Sequence, residues 1–187
     1  MRILMLGNSF TYYNDMPRIL AAMLGEKVVS FTRGGAYLSA HLDPADEMYE
    51  PTHKALSDEK WDYVILQEQS NAPMTKRDAF QQSAKELCDL IRQNGAKPLF
   101  YATWAYKDGT EKLAGMGRSY DEMIEALYDS YHAAAEANDA LIADVGLAFR
   151  DVREIVELYC EDAFHPSPAG SVLAAATIAA VIRKDAQ

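Results

Sequence analysis

Strand-like and helix-like segments alternate about five times along this chain, and this alternation limits the folds that it can adopt. Short, mostly apolar runs with the character of strands occur at 2–6, 27–32, 61–67, 97–103 and 140–145. Such alternation is typical of a parallel sheet with helices on both faces. The sequence therefore predicts an α/β fold, a three-layer sandwich with a five-stranded parallel sheet in flavodoxin-like order.

Helical patterns fill the spaces between these runs. They lie at Asp15–Gly25, Thr75–Gln93 and Ser119–Ala137, and a last one opens at Pro168. Residues 33–60 are the least regular part of the chain, with a possible helix around 45–57. A length of 187 residues suits one core, and no linker or repeat divides the chain, so we expect a single domain over residues 1–187.

Composition excludes several classes of partner. The net charge is −10, and the largest basic clusters are Lys76-Arg77 and Arg183-Lys184, which argues against nucleic acid. No apolar run is long enough to span a bilayer, and the first residues resemble a core strand rather than a signal peptide. We therefore expect a cytoplasmic protein without a membrane partner, whose oligomeric state the sequence leaves open.

Candidate site residues follow four of the predicted strands, at the point where each strand ends. They are Ser9, the pair Gly34-Gly35, the run Gln69-Ser70-Asn71 and Trp104. In open α/β sheets, ligands bind beyond the carboxyl ends of the strands. We therefore expect these residues to gather at one edge of the sheet and to form a site there.

A second signal lies near the end of the chain, where Asp162 precedes His165 by three residues. A hydrolase of the serine type needs a hydroxyl nucleophile, an imidazole that takes its proton, and a carboxylate that orients the imidazole. One turn of chain can supply the carboxylate and the imidazole, and Ser9 can supply the hydroxyl. We therefore predict a catalytic group of Ser9, His165 and Asp162 that needs no metal and no cofactor.

Taken in order, these segments resemble the SGNH (GDSL-type) hydrolase family. Gly7-Asn8-Ser9 matches its first block, Gly34 or Gly35 its second, Asn71 the asparagine of its third, and Asp162-x-x-His165-Pro166 its last. The chain departs from the family pattern at Asn8, Gln69 and Ala72. The segment 66–70 looks like a bacterial subgroup without a well-defined substrate.

The resemblance implies an oxyanion hole, the set of donors that stabilises the negative oxygen of the transition state. Its members would be the backbone N–H groups of Ser9 and Gly35 and the side-chain amide of Asn71. Gly34 and Gln69 are the alternates for the last two. We prefer Asn71 because an ungapped count from the start of the third strand places it at the family asparagine.

Three further residues are candidate substrate contacts, namely Asn8, Glu68 and Trp104, which all lie beside the predicted site. Aromatic residues follow the strand ends and are candidates to line a pocket, with core or rim packing as the alternative: Tyr12, Tyr13, Tyr37, Trp104 and Tyr106. Their faces can stack on sugar rings, which favours a small or carbohydrate-linked ester as substrate. The alternative is a non-catalytic module that binds a sugar or an anion on the same scaffold. A flavodoxin-like nucleotide binder is disfavoured, since no Gly-x-Gly-x-x-Gly or phosphate-binding loop is present.

Overall fold

The structure is a computed structural model that describes all 187 residues. Its five strands are β1 (Arg2–Gly7), β2 (Lys27–Thr32), β3 (Tyr63–Leu66), β4 (Lys97–Ala102) and β5 (Leu141–Asp144). Its nine α-helices are α1 (Ser9–Tyr12), α2 (Met16–Leu24), α3 (Tyr49–Asp58), α4 (Ala72–Thr75), α5 (Arg77–Asn94), α6 (Glu111–Ala114), α7 (Tyr120–Ala137), α8 (Val145–Val152) and α9 (Pro168–Asp185).

All strands pair in parallel, in the order β2-β1-β3-β4-β5. The order reverses beside β1, since the chain first goes outward to β2 and then returns to the other side of β1 for β3. Crevices that bind ligands form at such a reversal in doubly wound sheets. The five-stranded α/β sandwich and its flavodoxin-like order are therefore as predicted.

The sheet is covered on both faces by apolar helices. On one face, Ile3 and Met5 of β1 join a core of 27 buried residues that includes parts of α2 and α9. On the other face, Leu4 and Leu6 join a core of 19 buried residues with parts of α3 and α5. Successive strand residues point to opposite faces, so burial of both sets explains why β1 is apolar at every position from 3 to 6.

The predicted helices are present with small shifts at their ends, and the possible helix around 45–57 is α3. The short helices α1, α4 and α6 and the two-turn helix α8 had no counterpart in the prediction, because segments of four to eight residues show too little periodicity. Two of them, α1 and α4, directly follow the strands that flank the reversal. No helix combines the length and the apolar character that crossing a membrane requires.

Candidate active site

The turn after β1 places Ser9 at the first position of helix α1. Asn8 caps this helix, since its Oδ1 accepts the N–H of Phe10 at 3.1 Å. Gly7 is required just before it, because a Cβ there would lie 2.7 Å from both Gln67 Oε1 and Thr11 Oγ1. The tight passage from strand to helix therefore directs the Ser9 side chain to the carboxyl edge of the sheet.

A compact turn holds His165 over this edge. Asp162 Oδ1 accepts the backbone N–H groups of Phe164 and His165 at 3.2 and 3.0 Å. Outside the turn, Lys107 donates its backbone N–H to the Ala163 carbonyl at 2.8 Å. Ala163 has φ of 66°, a left-handed conformation that costs a residue with a Cβ about 1–2 kcal/mol. The surrounding hydrogen bonds hold this conformation in place.

Ser9, His165 and Asp162 form a continuous chain of hydrogen bonds. Ser9 Oγ lies 2.8 Å from His165 Nε2, and His165 Nδ1 lies 2.6 Å from Asp162 Oδ2. A carboxylate can only accept, so Nδ1 carries the proton and a neutral ring accepts the Ser9 hydroxyl at Nε2. Ser9 comes from the start of the chain, and Asp162 and His165 come from its end. Together they have the arrangement that a general base needs.

The carboxyl of Asp162 stays ionised in this setting. Burial alone would raise its pKa, but the hydrogen bonds from the His165 ring and from the backbone N–H groups of His165 and Phe164 outweigh that effect. The pKa therefore lies below its ordinary value, and the carboxylate is available to orient the imidazole at neutral pH.

Two residues of the cavity lining, Ser9 and Gly35, have backbone N–H groups that make no hydrogen bond within the protein. Ser9 opens a helix, whose first N–H groups lack intrahelical partners. Gly35 has φ of 68°, which glycine adopts without strain. Asn8 Nδ2 donates to the Ala36 carbonyl at 2.9 Å and so ties the glycine loop to the serine turn.

Gln69, rather than Asn71, lines the cavity at Ser9. The Asn71 amide donates to Tyr106 Oη at 3.3 Å, and its Oδ1 accepts from Thr75. Gln69 Oε1 accepts the N–H groups of Asn71 and Ala72 at 3.1 and 3.2 Å. These bonds fix the orientation of the Gln69 amide, so the structure places the alternate residue, Gln69, at the cavity and the preferred residue, Asn71, outside its lining.

Two of the three predicted substrate contacts are engaged within the protein. Asn8 lines the cavity, but it is 2% exposed and both its polar atoms are bonded to backbone groups. Glu68 is 2% exposed and lies outside the cavity lining, where Oε1 accepts the N–H groups of Leu38 and Gln69. The structure therefore places Glu68 outside the cavity lining, and it places Asn8 in the lining with its amide bonded to the backbone of Phe10 and Ala36.

Trp104, the third predicted substrate contact, lies outside the cavity lining. Its ring has no exposed surface and is stacked between Phe10, at 4.5 Å, and Phe149, at 4.1 Å. Its indole N–H donates to the Phe164 carbonyl at 3.0 Å. Trp104 therefore supports the serine helix and the histidine turn from below and cannot contact a substrate.

A cavity of about 320 Å³ surrounds the hydroxyl of Ser9. Its lining combines the two glycines of the second block with aromatic side chains, namely Phe10, Tyr12, Tyr13 and Phe164, together with Asn8, Gln69, Ser70 and His165. Of the tyrosines predicted for a pocket, Tyr12 and Tyr13 line the cavity, whereas Tyr37 and Tyr106 do not, and Tyr106 is 2% exposed. Phe10 and Phe164 were not predicted, although each is adjacent to a residue of the hydrogen-bond chain.

Asn14 is a site residue that the sequence argument missed. Its Nδ2 donates to the Pro166 carbonyl and to Ser171 Oγ, both at 2.9 Å. Asn14 and Asp15 have φ of 54° and 55°, and this conformation is most accessible to Gly, Asn and Asp. The Asn-Asp pair before Met16-Pro17 was a usable signal for such a turn.

The chain is similar in sequence and in fold to known hydrolases. The sequence model of the GDSL-like lipase/acylhydrolase family matches residues 5–173. A candidate SGNH hydrolase from Slackia heliotrinireducens is 42% identical, with 97% of this chain and 98% of that chain covered and a TM-score of 0.92. No curated protein sequence matches the chain.

Two more distant structures share the fold. A protein of the DUF4886 family from Bacteroides uniformis is 22% identical, with a TM-score of 0.75 over 98% of this chain and 83% of that chain. An acetylxylan esterase from Geobacillus stearothermophilus is 18% identical, with a TM-score of 0.70 over 97% and 93%. At these identities the likeness extends to the fold alone.

Proposed function

This chain belongs to the GDSL-like lipase/acylhydrolase family and is a hydrolase of ester bonds, and we propose that it cleaves short acyl esters of carbohydrate alcohols with Ser9 as nucleophile. The observation that carries the proposal is the unbroken hydrogen-bond chain from Ser9 Oγ through His165 to Asp162 at the cavity. A binding module would have no need of a base held 2.8 Å from a serine hydroxyl.

In the first half of the reaction, Ser9 Oγ attacks the ester carbonyl carbon while His165 Nε2 takes the hydroxyl proton. The carbonyl π electrons move onto oxygen and form a tetrahedral oxyanion. Asp162 stabilises the imidazolium and keeps its ring in orientation. Collapse of the intermediate breaks the bond to the alcohol, which takes the proton from Nε2 and leaves Ser9 acylated.

In the second half, water attacks the acyl carbon and His165 Nε2 takes its proton. The bond to Ser9 Oγ then breaks, and Nε2 returns the proton to the serine. The products are the carboxylic acid and the regenerated enzyme, so one water is consumed for each ester cleaved. No metal or cofactor has a part in these steps.

Both tetrahedral intermediates carry an oxyanion that must be stabilised. The donors we propose are the backbone N–H groups of Ser9 and Gly35 and the side-chain amide of Gln69. The first two have no partner within the protein. Gln69 Nε2 bonds to Ser70 Oγ at 3.2 Å and keeps a second N–H for the cavity.

The cavity walls favour a short acyl group and a sugar alcohol. The aromatic residues Tyr12 and Tyr13 form one wall, and the exposed backbone of Gly34 and Gly35 forms another. Tyr12 is 41% exposed, so its face can stack on a ring that remains partly in water. A long acyl chain would need an enclosed apolar channel, and the 320 Å³ cavity is too small for one beside a sugar.

The test is a comparison of esters and of variants. Nitrophenyl acetate, butyrate and octanoate and an acetylated xylo-oligosaccharide are supplied to the wild type, to Ser9→Ala and to Ser57→Ala. Ser57 is an exposed serine of α3 and serves as the matched control. We expect acetyl esters to be cleaved fastest, and Ser9→Ala to lower kcat at least about 10³-fold while Ser57→Ala has no effect.

Three outcomes would contradict the proposal, in whole or in part. Binding of the acetylated sugar without release of acetate would favour the non-catalytic module. Retention of activity in Ser9→Ala would show that another residue is the nucleophile. Faster cleavage of octanoate than of acetate would leave Ser9 in place and overturn the short-acyl assignment alone.

A further inference from the structure

The carboxyl group of Glu68 lies behind the cavity and joins two separate segments of its wall. Its Oε1 accepts the N–H of Leu38 at 3.1 Å and the N–H of Gln69 at 2.6 Å. Leu38 is three residues after Gly35, and Gln69 carries the side-chain amide of the same wall. One oxygen atom thus connects the two segments that supply the oxyanion donors other than Ser9.

We propose that Glu68 is a positioning residue, which sets the separation between the Gly35 loop and Gln69 and so keeps their donors directed at one point. This inference rests on the proposed ester hydrolysis, where an oxyanion forms between these segments. Donors that are already in place when the charge develops are worth far more than donors that must reorganise. Glu68 would act through Gly35 and Gln69 and would not touch the substrate.

The surroundings of Glu68 agree with this role. The carboxyl is 2% exposed, and the cavity lining excludes it, so it cannot exchange a proton with a bound ester. Burial raises the pKa of Glu68 to about 7, against the hydrogen bonds from Gln69 and Leu38 and the charge of Lys76, which lower it. Tyr131 Oη accepts the backbone N–H of Glu68 at 3.2 Å, so the residue is held from the α7 side as well.

Both bonds to Leu38 and Gln69 end on Oε1, and no hydrogen bond uses Oε2. A proton on Oε2 therefore leaves the connection intact. The amide oxygen of a glutamine can accept the same two N–H groups. An alanine leaves both N–H groups buried without a partner, which destabilises this part of the cavity wall.

The first measurement is steady-state hydrolysis of nitrophenyl acetate by the wild type, Glu68→Gln and Glu68→Ala. We expect Glu68→Gln to stay within about threefold of the wild-type kcat. We expect Glu68→Ala to lower kcat about 10–100-fold with KM changed less than about threefold, because the bonds concerned strengthen in the transition state. An equal loss in both variants would overturn the proposal, since it would mean that the charge or the proton of Glu68 is used.

The matched control is Asn94→Ala. Asn94 is a buried polar residue that also joins loops, since its Nδ2 donates to the carbonyls of Leu56 and Glu59 before β3 begins, at the opposite edge of the sheet. We expect this variant to lose stability while kcat stays at the wild-type value. A kcat loss equal to that of Glu68→Ala would attribute both effects to general destabilisation and overturn the positioning role.

The second measurement is amide hydrogen exchange at Leu38 and Gln69, which does not depend on turnover. We expect both amides to exchange faster in Glu68→Ala and to remain protected in Glu68→Gln. If the wild type cleaves no ester, the proposed function fails. The exchange pattern would in that case still support the connection of Leu38 and Gln69 through Glu68. Unchanged protection in Glu68→Ala would overturn the connection whatever the activity.

Discussion

The phenol ring of Tyr13 lies flat against the imidazole of His165, with ring centroids 4.1 Å apart and 1° between the planes. Tyr13 directly follows the helix that Ser9 opens, and the next residue, Asn14, donates to the carbonyl of Pro166. The serine segment therefore fixes both the backbone and the ring plane of the histidine segment. The face of the Tyr13 ring also packs against the His165 imidazole, which becomes an imidazolium in the proposed reaction.

The stack on His165 predicts a graded response at position 13. Aromatic pairs contribute about 0.5–1.5 kcal/mol, so Tyr13→Leu should lower kcat about 3–10-fold, whereas Tyr13→Phe should retain wild-type kcat. Tyr12→Leu is the matched control, because Tyr12 lies on the cavity rim and does not stack on His165. We expect Tyr12→Leu to raise KM for a sugar ester only. A Tyr13→Phe variant as impaired as Tyr13→Leu would assign the effect to the phenol hydroxyl.

The two amides after β3 should differ sharply in their contribution to kcat. Gln69→Ala removes a side-chain donor at the cavity and should lower kcat about 10²–10³-fold with little change in KM. Asn71→Ala removes bonds to Tyr106 and Thr75 and should lower thermal stability with less than about fivefold loss of kcat. Steady-state kinetics and melting curves on one acetyl ester decide between them. A reversed pattern would restore Asn71 to the oxyanion hole.

Much of the fold and of the site could be predicted because parallel sheets place strand ends together. Alternation of segments fixed the architecture, and the spacing of Asp162 and His165 identified two residues of one turn. Ser9 was placed by the end of an apolar run, which a strand covered on both faces must show. The strand and helix inferences use features that repeat over several residues, whereas the inference for Asp162 and His165 uses one short motif.

The errors lie where the backbone leaves a regular element. An ungapped count from the start of the third strand favoured Asn71, but β3 ends at Leu66, and Gln67 and Glu68 remain buried beyond it. The chain then turns into α4, so that Gln69 reaches the cavity. Trp104 was assigned to a pocket because it follows β4, yet it is fully buried between Phe10 and Phe149. No local pattern distinguishes an aromatic residue on a rim from one beneath it.

Trp104→Phe should separate support from substrate contact. The change removes the hydrogen bond to Phe164 and part of a fully buried ring, and we expect a loss of about 2–4 kcal/mol in the free energy of unfolding. KM for a short ester should stay within about twofold, since the ring does not line the cavity. Urea denaturation and steady-state kinetics give the two values. A large rise in KM with unchanged stability would return Trp104 to the binding site.

Glu68 should make the protein less stable as the pH rises. Its carboxyl has a pKa of about 7 in the folded state, because burial opposes ionisation, and an ordinary pKa near 4.5 when unfolded. Between these values the folded chain holds a proton that the unfolded chain has lost, so the free energy of unfolding falls as pH increases. The contribution is fully present below pH 4.5 and is lost above pH 7, and the full change is about 3 kcal/mol.

Glu68→Gln removes this titration while keeping an oxygen for Leu38 and Gln69. Other titratable groups change the stability of both proteins in the same way, so the informative quantity is the difference in unfolding free energy between variant and wild type at each pH. We expect the free energy of unfolding of Glu68→Gln, measured by urea denaturation, to rise relative to that of the wild type by about 3 kcal/mol from pH 4 to pH 8. Most of this relative rise should occur between pH 4.5 and pH 7. A difference that stays constant across this range would mean that Glu68 ionises as it would in water, and that its burial is offset by stronger interactions with Lys76 or with the two backbone N–H groups.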